Sequence, residues 1–507
     1  MKQPIQNAKR GLSLLLCLAL LLAALSLGGV SAKAKACTCN EIPMVSIAGI
    51  GDTLYRGAGT PEQEEVHVAE TANLPGALLP MALNLVKAVA LWDWDAGADA
   101  ISAVAYSLLG HLQCDEKGRS IEPISSPYIP PSPEQNHKTD QTYGFRYDWR
   151  LDPMQVAREL DKYIKLVQAA TGHSKVAVRY HSEGGLVVTA YLAQFGSAAI
   201  DHLIPIASAH NGLTLLGELF NKNVQIDAAA LANVLRTFIE SEGAMGLIGG
   251  LTSILEQAGI LDALIFALQL VIDNAGDRLF ETTLVPLFAQ WPALWGFVPD
   301  AYYESAKAAM LDKQKHAALI KTIDDYHYKA GVKADELLRK AAKNGTKVSI
   351  IACYGYPSMP FFADANLCAD GLIDTARESS GATCAPCGQA LPQGYTQKKA
   401  DGHNHISPNG QIDASTCVFP EQTWFLQDMI HFTAGQDALV DFLVHSKTQP
   451  TVRSNPKFPQ FMTRLPDGTF IPSAQAAQPP APPTSLFSSV TQLLTNVLLL
   501  LVALVTG

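Results

Sequence analysis

The sequence predicts an α/β protein with a mostly parallel sheet that a helical segment interrupts. From Pro43 to about Ile206, apolar β-branched runs alternate with longer helical stretches, which is typical of a parallel sheet covered by helices. Residues 211–343 differ because they are rich in Ala and Leu, with helical periodicity and few β-branched runs. A strand-like run returns at Lys347–Tyr354, so we expect the helical segment to be inserted into one sheet.

Changes in composition divide the chain into six predicted parts. Lys2, Lys9 and Arg10 precede an apolar run and the small residues Val30-Ser31-Ala32, which together indicate a secretory signal peptide. The parts are a signal peptide (1–32), the first half of the core (33–210), a helical cap or lid (211–345), the second half of the core (346–447), a Pro-rich linker (448–484) and a hydrophobic tail (485–507). Within the cap, helices are predicted at Asp227–Phe238, Leu251–Ile272 and Tyr302–Lys321.

The tail indicates contact with a membrane or lipid surface. Residues 486–505 are apolar and uncharged, and their number is close to the ~20 residues that cross a bilayer as a helix. The alternatives are a membrane span, a signal that is replaced by a lipid anchor, and a helix that packs on the protein or a partner. We therefore predict a secreted protein that this tail retains at the cell surface.

Charge and cysteine content narrow the function and the compartment. The formal net charge of −10 makes nucleic acid an unexpected partner. Eight cysteines follow residue 32, and an even number in an exported chain favours disulfide bonds. The alternative is a zinc site built on Cys384-Ala-Pro-Cys387 with His403 and His405. Disulfides are the preferred prediction, although their pairing cannot be read from the sequence.

The most informative segment surrounds Ser182. An apolar β-branched run ends at His181, and Ser182 is followed by Gly184, Gly185 and a run that is typical of a helix. This is the strand, sharp turn and helix of a nucleophile elbow, which indicates an α/β-hydrolase fold and a serine hydrolase or acyltransferase. Tyr180 stands where the usual motif has its first glycine. The alternative is an ordinary strand-to-helix loop with an exposed serine.

A serine nucleophile needs a base and an orienting carboxylate, which in α/β-hydrolases follow the serine in the order acid, then histidine. His431 is the predicted base because it follows residues 423–430, which are typical of a last strand and its turn. Asp401 is the predicted acid because it begins an Asp-Gly turn thirty positions earlier. The rival histidines are His403, His405 and His445. The weaker candidates for the acid are Asp364, Asp370 and Asp413.

The negatively charged oxygen of an acyl-transfer intermediate needs two hydrogen-bond donors. One is predicted to be the backbone N–H of Glu183, directly after the nucleophile. The other is predicted in the loop after the first strand, where Gly49 and Gly51 allow the backbone to turn toward the serine. Either Ile50 or Gly51 would donate, and the sequence does not choose between them. A dinucleotide-binding fingerprint is disfavoured because Leu54 stands where a third glycine is needed.

Three segments together resemble the lecithin:cholesterol acyltransferase family: Ala48–Leu54, Tyr147-Asp148-Trp149-Arg150 and His181–Gly185. The family is similar in its glycine-rich oxyanion loop, its Tyr-Asp-Trp-Arg segment and its His-Ser-x-Gly-Gly elbow. The resemblance covers roughly residues 43–210 and 345–435. The departures are Tyr180 in place of glycine, and Asp401-Gly402-His403 where the family tends toward Asp-Gly-Thr-Val.

The resemblance implies an α/β-hydrolase that cleaves or transfers the acyl group of a lipid ester. Ser182, Asp401 and His431 would form the triad, no metal or organic cofactor would be needed, and the helical insertion would line an acyl pocket. From the residues alone, Asp148 and Arg150 are expected to pair with each other rather than to contact substrate. The rival functions are a non-catalytic surface binding protein on a hydrolase scaffold and a peptidase on the same scaffold.

Overall fold

The computed structural model describes Cys37, Cys39 and residues 41–66, 74–127, 142–225, 260–431, 437–465 and 467–476. The predicted signal peptide, the hydrophobic tail and the predicted helix Asp227–Phe238 lie outside these residues. Among the residues that are described, no helix combines the length and the apolar character needed to cross a membrane.

A mostly parallel sheet forms the centre of the fold, as predicted. Its strand order is β14-β13-β12-β9-β7-β6-β1-β5, with β8 paired to β7, and only the β13–β14 pair is antiparallel. The strands are β1 (Met44–Ile47), β2 (Leu54–Arg56), β3 (Glu64–Val66), β4 (Ile124–Ser125), β5 (Thr142–Phe145), β6 (Val176–Ser182), β7 (Ile200–Ser208), β8 (Lys347–Val348), β9 (Ile350–Tyr354), β10 (Thr383–Cys384), β11 (Ile412–Asp413), β12 (Thr423–Gln427), β13 (Phe461–Arg464) and β14 (Phe470–Pro472). Strands β2, β3 and β4 form a small second sheet, and β10 pairs with β11.

Helices connect and cover these strands. They are Leu74–Leu91, Trp94–Leu109, Pro153–Thr171, Gly184–Phe195, Thr214–Phe220, Ile260–Leu279, a π-helical stretch at Phe280–Ala289, Pro292–Gly296, Asp300–Met310, Ala317–Lys329, Ala334–Lys343, Thr375–Glu378 and Asp437–Val444. The central strands are almost continuously buried, with every residue of β9 inside, because a parallel sheet with covered faces has no solvent side. The core therefore lies between the sheet and the helices.

The helical layer draws on two separate parts of the sequence. Helices Leu74–Leu91 and Trp94–Leu109 pack against Ile260–Leu279, where a Cβ added at Gly97 would lie 2.7 Å from Val271 Cγ2. The Tyr106 hydroxyl also donates to the carbonyl of Thr282 at 2.9 Å. The predicted cap of residues 211–345 is thus incomplete, because a hairpin from the predicted first half of the core adds to it.

The predicted helix Tyr302–Lys321 is divided into two helices. The first ends at Met310, and the second begins at Ala317. Asp312 causes the break, since its carboxylate accepts hydrogen bonds from the backbone N–H groups of Gln314 and Lys315. Such local side-chain bonds compete with helix continuation.

The predicted Pro-rich linker of residues 448–484 is wrong over its first part. Strands β13 and β14 lie within it and extend the central sheet beyond β12. Met462 and Val452 are buried there, so these residues belong to the core. The proline-rich composition that suggested a linker is concentrated after residue 476, outside the described residues.

Arg150 and Asp148 form a buried ion pair, as the sequence predicts. The Arg150 guanidinium donates to Asp148 at 2.7 and 3.0 Å, and its remaining donors bind the carbonyls of Leu112 and Ile124 and the Ser120 hydroxyl. Arg150 is fully buried. These bonds join the segment that follows β5 to residues 112–124. They therefore fix the chain beside β1, which pairs with β5.

Replacing Arg150 by Met should strongly destabilise the protein, because Asp148 then remains as a buried and unpaired carboxylate. We expect a loss of about 3–5 kcal/mol in the free energy of unfolding, measured from urea denaturation midpoints. The matched control is Arg119→Met, which breaks a 2.6 Å ion pair with Asp115 whose arginine side chain is 69% exposed. That change should shift the denaturation midpoint far less, because an exposed ion pair contributes little to stability. Equal losses in the two variants would contradict the assignment.

Candidate active site

Ser182 is the last residue of β6, and the chain turns sharply there into helix Gly184–Phe195. Its φ of 53° lies in the left-handed region, which is strained for a residue with a side chain. Two glycines make the turn feasible. A Cβ at Gly184 would lie 3.1 Å from the Ile47 carbonyl oxygen, and one at Gly185 would lie 2.2 Å from Ser208 Oγ. The predicted strand, turn and helix are therefore present.

Ser182, His431 and Asp370 form a continuous hydrogen-bonded chain. Ser182 Oγ lies 2.9 Å from His431 Nε2, and His431 Nδ1 lies 2.5 Å from Asp370 Oδ2. Asp370 and His431 are buried, and Ser182 is 7% exposed. Because a carboxylate only accepts, Nδ1 carries the proton, and the lone pair of Nε2 accepts from the serine hydroxyl.

Asp370, and not the predicted Asp401, therefore occupies the position of the acid. Asp401 is exposed and contacts His405 Nε2 at 3.0 Å, in a different part of the fold. Asp370 follows β9, and its backbone carbonyl accepts from the N–H of His431 at 2.8 Å. The loops after neighbouring parallel strands meet at one edge of the sheet, which brings these two residues together.

A signal for Asp370 was present in the sequence. Asp370-Gly371 and Asp401-Gly402 are both Asp-Gly dipeptides. Only Asp370-Gly371 is followed by two apolar residues, Leu372 and Ile373. Gly371 has a φ of 95°, and a Cβ there would lie 3.1 Å from Ile430 Cγ1. An aspartate followed by a glycine and apolar residues fits a turn that packs against the segment before His431.

The surroundings of Asp370 favour its ionised form. Burial alone would raise the pKa of this carboxyl group, but the electrostatic interaction with the His431 imidazole and the hydrogen bond from it hold the pKa below its usual value. The backbone N–H groups of Leu372 and Ile373 also donate to Asp370 Oδ1 at 2.9 and 2.7 Å. For Glu378, which lies beside it, burial and then the charge of Asp370 raise the pKa well above the usual value.

His181 supports the position of His431. Its Nε2 lies 2.7 Å from the backbone oxygen of His431, so the ring donates a proton there. Burial, followed by the nearby His431, lowers the pKa of His181 to about 3. This ring is therefore neutral at pH 7 and adds no positive charge next to the base.

The glycine-rich loop lies directly on Ser182. A Cβ at Gly49 would be 2.5 Å from Ser182 Cβ and 3.3 Å from the backbone nitrogen of Glu183. Gly51 has a φ of 99°, so the backbone between them turns sharply. The roles of Glu183 and of Ile50 or Gly51 as donors to a negatively charged oxygen stay a prediction.

Residues of the Tyr-Asp-Trp-Arg segment hold this loop on both sides. The Tyr147 hydroxyl donates to the Ala48 carbonyl at 2.8 Å, and Trp149 Nε1 donates to the Asp52 carbonyl at 3.0 Å. The Glu183 side chain is also buried here, and burial, with the charge of Asp148, raises its pKa well above the usual value. A neutral Glu183 does not oppose negative charge that develops near its own backbone N–H.

The rival histidines lie apart from this chain of hydrogen bonds. His403 and His405 group with Glu421, and His445 pairs with Glu41 at an exposed position.

A pocket of about 460 Å³ lies near the amino ends of β7 and β8, at the edge opposite Ser182. Its lining includes none of the three aligned residues.

The alternative zinc set of two cysteines and two histidines does not assemble among the described residues. The thiol of Cys384 is in hydrogen-bonding contact with that of Cys368, while His403 and His405 face a carboxylate. The disulfide bonds remain a prediction; the thiols of Cys368 and Cys384 are in contact, and the sulfur atoms of Cys37 and Cys39 lie 3.0 Å apart.

Replacing Asp370 by Asn should reduce the reactivity of Ser182 toward a fluorophosphonate probe by about 10³–10⁴-fold. An amide at this position favours the wrong tautomer of His431, so the ring no longer accepts the serine proton. The measurement is the second-order labelling rate at pH 7.5. The exposed Asp364 is the matched control, and Asp364→Asn should label within about threefold of wild type. A normal rate in Asp370→Asn would refute the role of this carboxylate.

Replacing Gly49 by Ala should also suppress labelling of Ser182, by about 10²-fold, because the new Cβ displaces the loop that faces the serine. Gly144→Ala in the adjoining strand β5 is the matched control, since a Cβ there meets no atom within 4 Å. Circular dichroism would show that both variants fold. Unchanged labelling of Gly49→Ala would show that the loop does not constrain the serine.

Comparisons with known proteins give no family assignment. No protein-family model matches the chain, and a search of curated proteins returns no significant match. Among solved structures, one match belongs to "The crystal structure of Tle4-Tli4 complex", at 16% identity over 36% of this chain and 48% of that chain. The match thus spans about half of the other chain's length. Its TM-score is 0.19, so this similarity carries no argument about fold or function.

Proposed function

We propose that this protein is a serine ester hydrolase or acyltransferase that forms an acyl-enzyme at Ser182. The observation that carries the proposal is the chain of hydrogen bonds from Ser182 Oγ through His431 to Asp370, at 2.9 and 2.5 Å. A serine with an unprotonated imidazole nitrogen and a buried carboxylate in line is the arrangement that activates a hydroxyl for attack.

Each residue would act at a stated atom. Ser182 Oγ attacks the ester carbonyl carbon while His431 Nε2 takes its proton, and the imidazolium is stabilised by Asp370. The backbone N–H of Glu183 and that of Ile50 or Gly51 would bind the carbonyl oxygen as it becomes negative. His431 then gives the proton to the leaving alcohol. Water or an acceptor alcohol removes the acyl group by the same steps in reverse.

The strand topology supports placing this chain among the α/β-hydrolases. The serine is the last residue of β6, the acid follows β9 and the histidine follows β12, so all three lie at or beyond the carboxyl ends of parallel strands. Their order along the chain is serine, acid and histidine, as in that fold. The positive φ of Ser182 is the strain expected at a nucleophile elbow.

A lipid ester is the substrate class that we favour. The support is the resemblance to the lecithin:cholesterol acyltransferase family and the helical layer from residues 74–109 and 260–343, which could line an acyl pocket. We also propose export, with retention at a lipid surface by residues 485–507. The proposed chemistry needs no cofactor, since base, nucleophile and donors all come from the chain.

A non-catalytic binding protein on the same scaffold is the rival function. The alignment of Ser182 with an unprotonated nitrogen favours the enzyme, because binding alone does not require an activated hydroxyl.

The proposal predicts covalent labelling of wild type by a fluorophosphonate probe, and complete loss of labelling in Ser182→Ala. Wild type should also release acyl chains from p-nitrophenyl esters, with kcat/KM rising with chain length if the pocket holds lipid. Turnover should fall by about 10⁴-fold or more in Ser182→Ala. If the wild-type protein is not labelled by the probe and does not hydrolyse esters, the enzyme proposal fails and the binding-protein alternative is favoured. Turnover of peptides instead of esters would favour a peptidase.

A further inference from the structure

A cluster of three metal-ligating side chains, His403, His405 and Glu421, lies away from Ser182, with Asp401 beside it. Asp401, His403 and His405 come from the loop between β10 and β11, and Glu421 comes from the turn directly before β12. His403 Nδ1 lies 3.2 Å from Glu421 Oε1, which lies 3.6 Å from His405 Nε2. His405 Nε2 in turn lies 3.0 Å from Asp401 Oδ2.

Two of these atoms are buried and satisfied by no hydrogen bond within the described part of the chain: His403 Nδ1 and Glu421 Oε1. They face each other at 3.2 Å without the angles of a hydrogen bond. A buried polar atom without a partner is costly, so such a pair requires an explanation. Atoms that point toward a common centre have the arrangement of ligands around an ion.

Gln460 fixes the tautomer of His405. Its Nε2 donates to the carbonyls of Pro420 and Thr423 at 2.7 and 3.2 Å, so its Oε1 faces His405 Nδ1 at 2.8 Å as an acceptor. His405 Nδ1 therefore donates to Gln460, and Nε2 is directed toward Asp401 Oδ2 and Glu421 Oε1. A second imidazole hydrogen bond that fixes the ring is the usual support of a metal-binding histidine.

The second oxygen of each carboxylate is already occupied. Asp401 Oδ1 accepts from the backbone N–H of His403 at 3.1 Å, and Glu421 Oε2 accepts from Arg453 Nε at 2.9 Å. These bonds orient Asp401 Oδ2 and Glu421 Oε1 toward the two histidine nitrogens.

We propose that His403, His405 and Glu421 bind one divalent transition-metal ion, with Zn²⁺ as the best fit. Zinc bonds of about 2.0–2.1 Å place tetrahedral ligand atoms about 3.3 Å apart. The separations of 3.2 Å (His403 to Glu421) and 3.6 Å (His405 to Glu421) agree with that geometry. Two imidazoles and one carboxylate suit zinc rather than Ca²⁺ or Mg²⁺, and Asp401 adds a second negative charge beside His405. The metal would tie the 401–405 loop to the start of β12, because His403 and His405 come from that loop and Glu421 from the turn before the strand, with water in the fourth position.

The test measures the metal content of the tag-free full chain after chelator treatment and dialysis against Zn²⁺. We expect about one zinc per wild-type chain, and a Tm that rises by about 5 °C or more at a hundredfold excess of zinc over Kd. In Glu421→Gln, which keeps the shape of the side chain, zinc affinity should fall by about 10²-fold, and His403→Ala should behave alike. Cobalt substitution should give the visible absorption of a tetrahedral site without thiolate ligands.

The matched control is His445→Ala, because His445 also lies between two carboxylates, Glu41 and Asp441, but at an exposed position. It should keep one zinc with unchanged affinity. Two results would overturn the proposal: wild type that binds no zinc, and zinc that binds equally well to Glu421→Gln and His403→Ala. Either result would leave the cluster as a set of direct contacts between imidazoles and carboxylates, without an ion. Zinc that persists in both variants would belong to the thiols of Cys39 and its neighbours.

Discussion

The buried hydrogen bond between Asp370 and His431 is the interaction on which the rest of the site depends. A carboxylate without solvent is strongly disfavoured unless several donors compensate its lost hydration. Here the donors are one imidazole nitrogen and two backbone N–H groups. Each donor is fixed by a loop that follows a parallel strand, so the carboxylate stays ionised only while the loops after β9 and β12 keep their relative positions. The site is thus a consequence of sheet register.

The elbow illustrates a second constraint, which is local strain. A residue such as Ser182 with positive φ costs about 1–3 kcal/mol, and it persists only where the surroundings determine it. Those surroundings are Gly49, Gly184 and Gly185, at each of which a side chain would meet backbone or the serine itself. Tyr147 and Trp149 then hold the loop that contains Gly49. The Tyr-Asp-Trp-Arg segment consequently acts through the loop and through the buried Asp148–Arg150 pair, and it need not touch a substrate.

The sequence predicts those features whose signal is local. Ser182 lies where a β-branched run meets two glycines, and His431 follows a recognisable last strand, so both were identified and the structure places them 2.9 Å apart. The prediction of Asp401 as the acid was wrong because two Asp-Gly turns precede His431. Only the fold decides which of the two aspartates contacts the histidine. Strands β13 and β14 are short, and their register is set by pairing with β12, which no local pattern encodes. The packing of the helical hairpin of residues 74–109 onto the cap was not predicted, because its partner, Ile260–Leu279, is distant in sequence.

The two ends of β12 suggest how the fold separates reactivity from stability. Beyond its carboxyl end lies His431, whose contacts with Ser182 and Asp370 depend on the position of the loop after β12. Before its amino end lies Glu421, next to a long segment between β9 and β12 that contains little regular structure. Long loops of this kind need an added constraint, such as a disulfide or a metal, to hold one conformation. A cluster of imidazoles and carboxylates at the amino end would fix this segment where it joins β12. The register of β12, and with it the position of the base, would then depend on groups that never contact the reacting atoms.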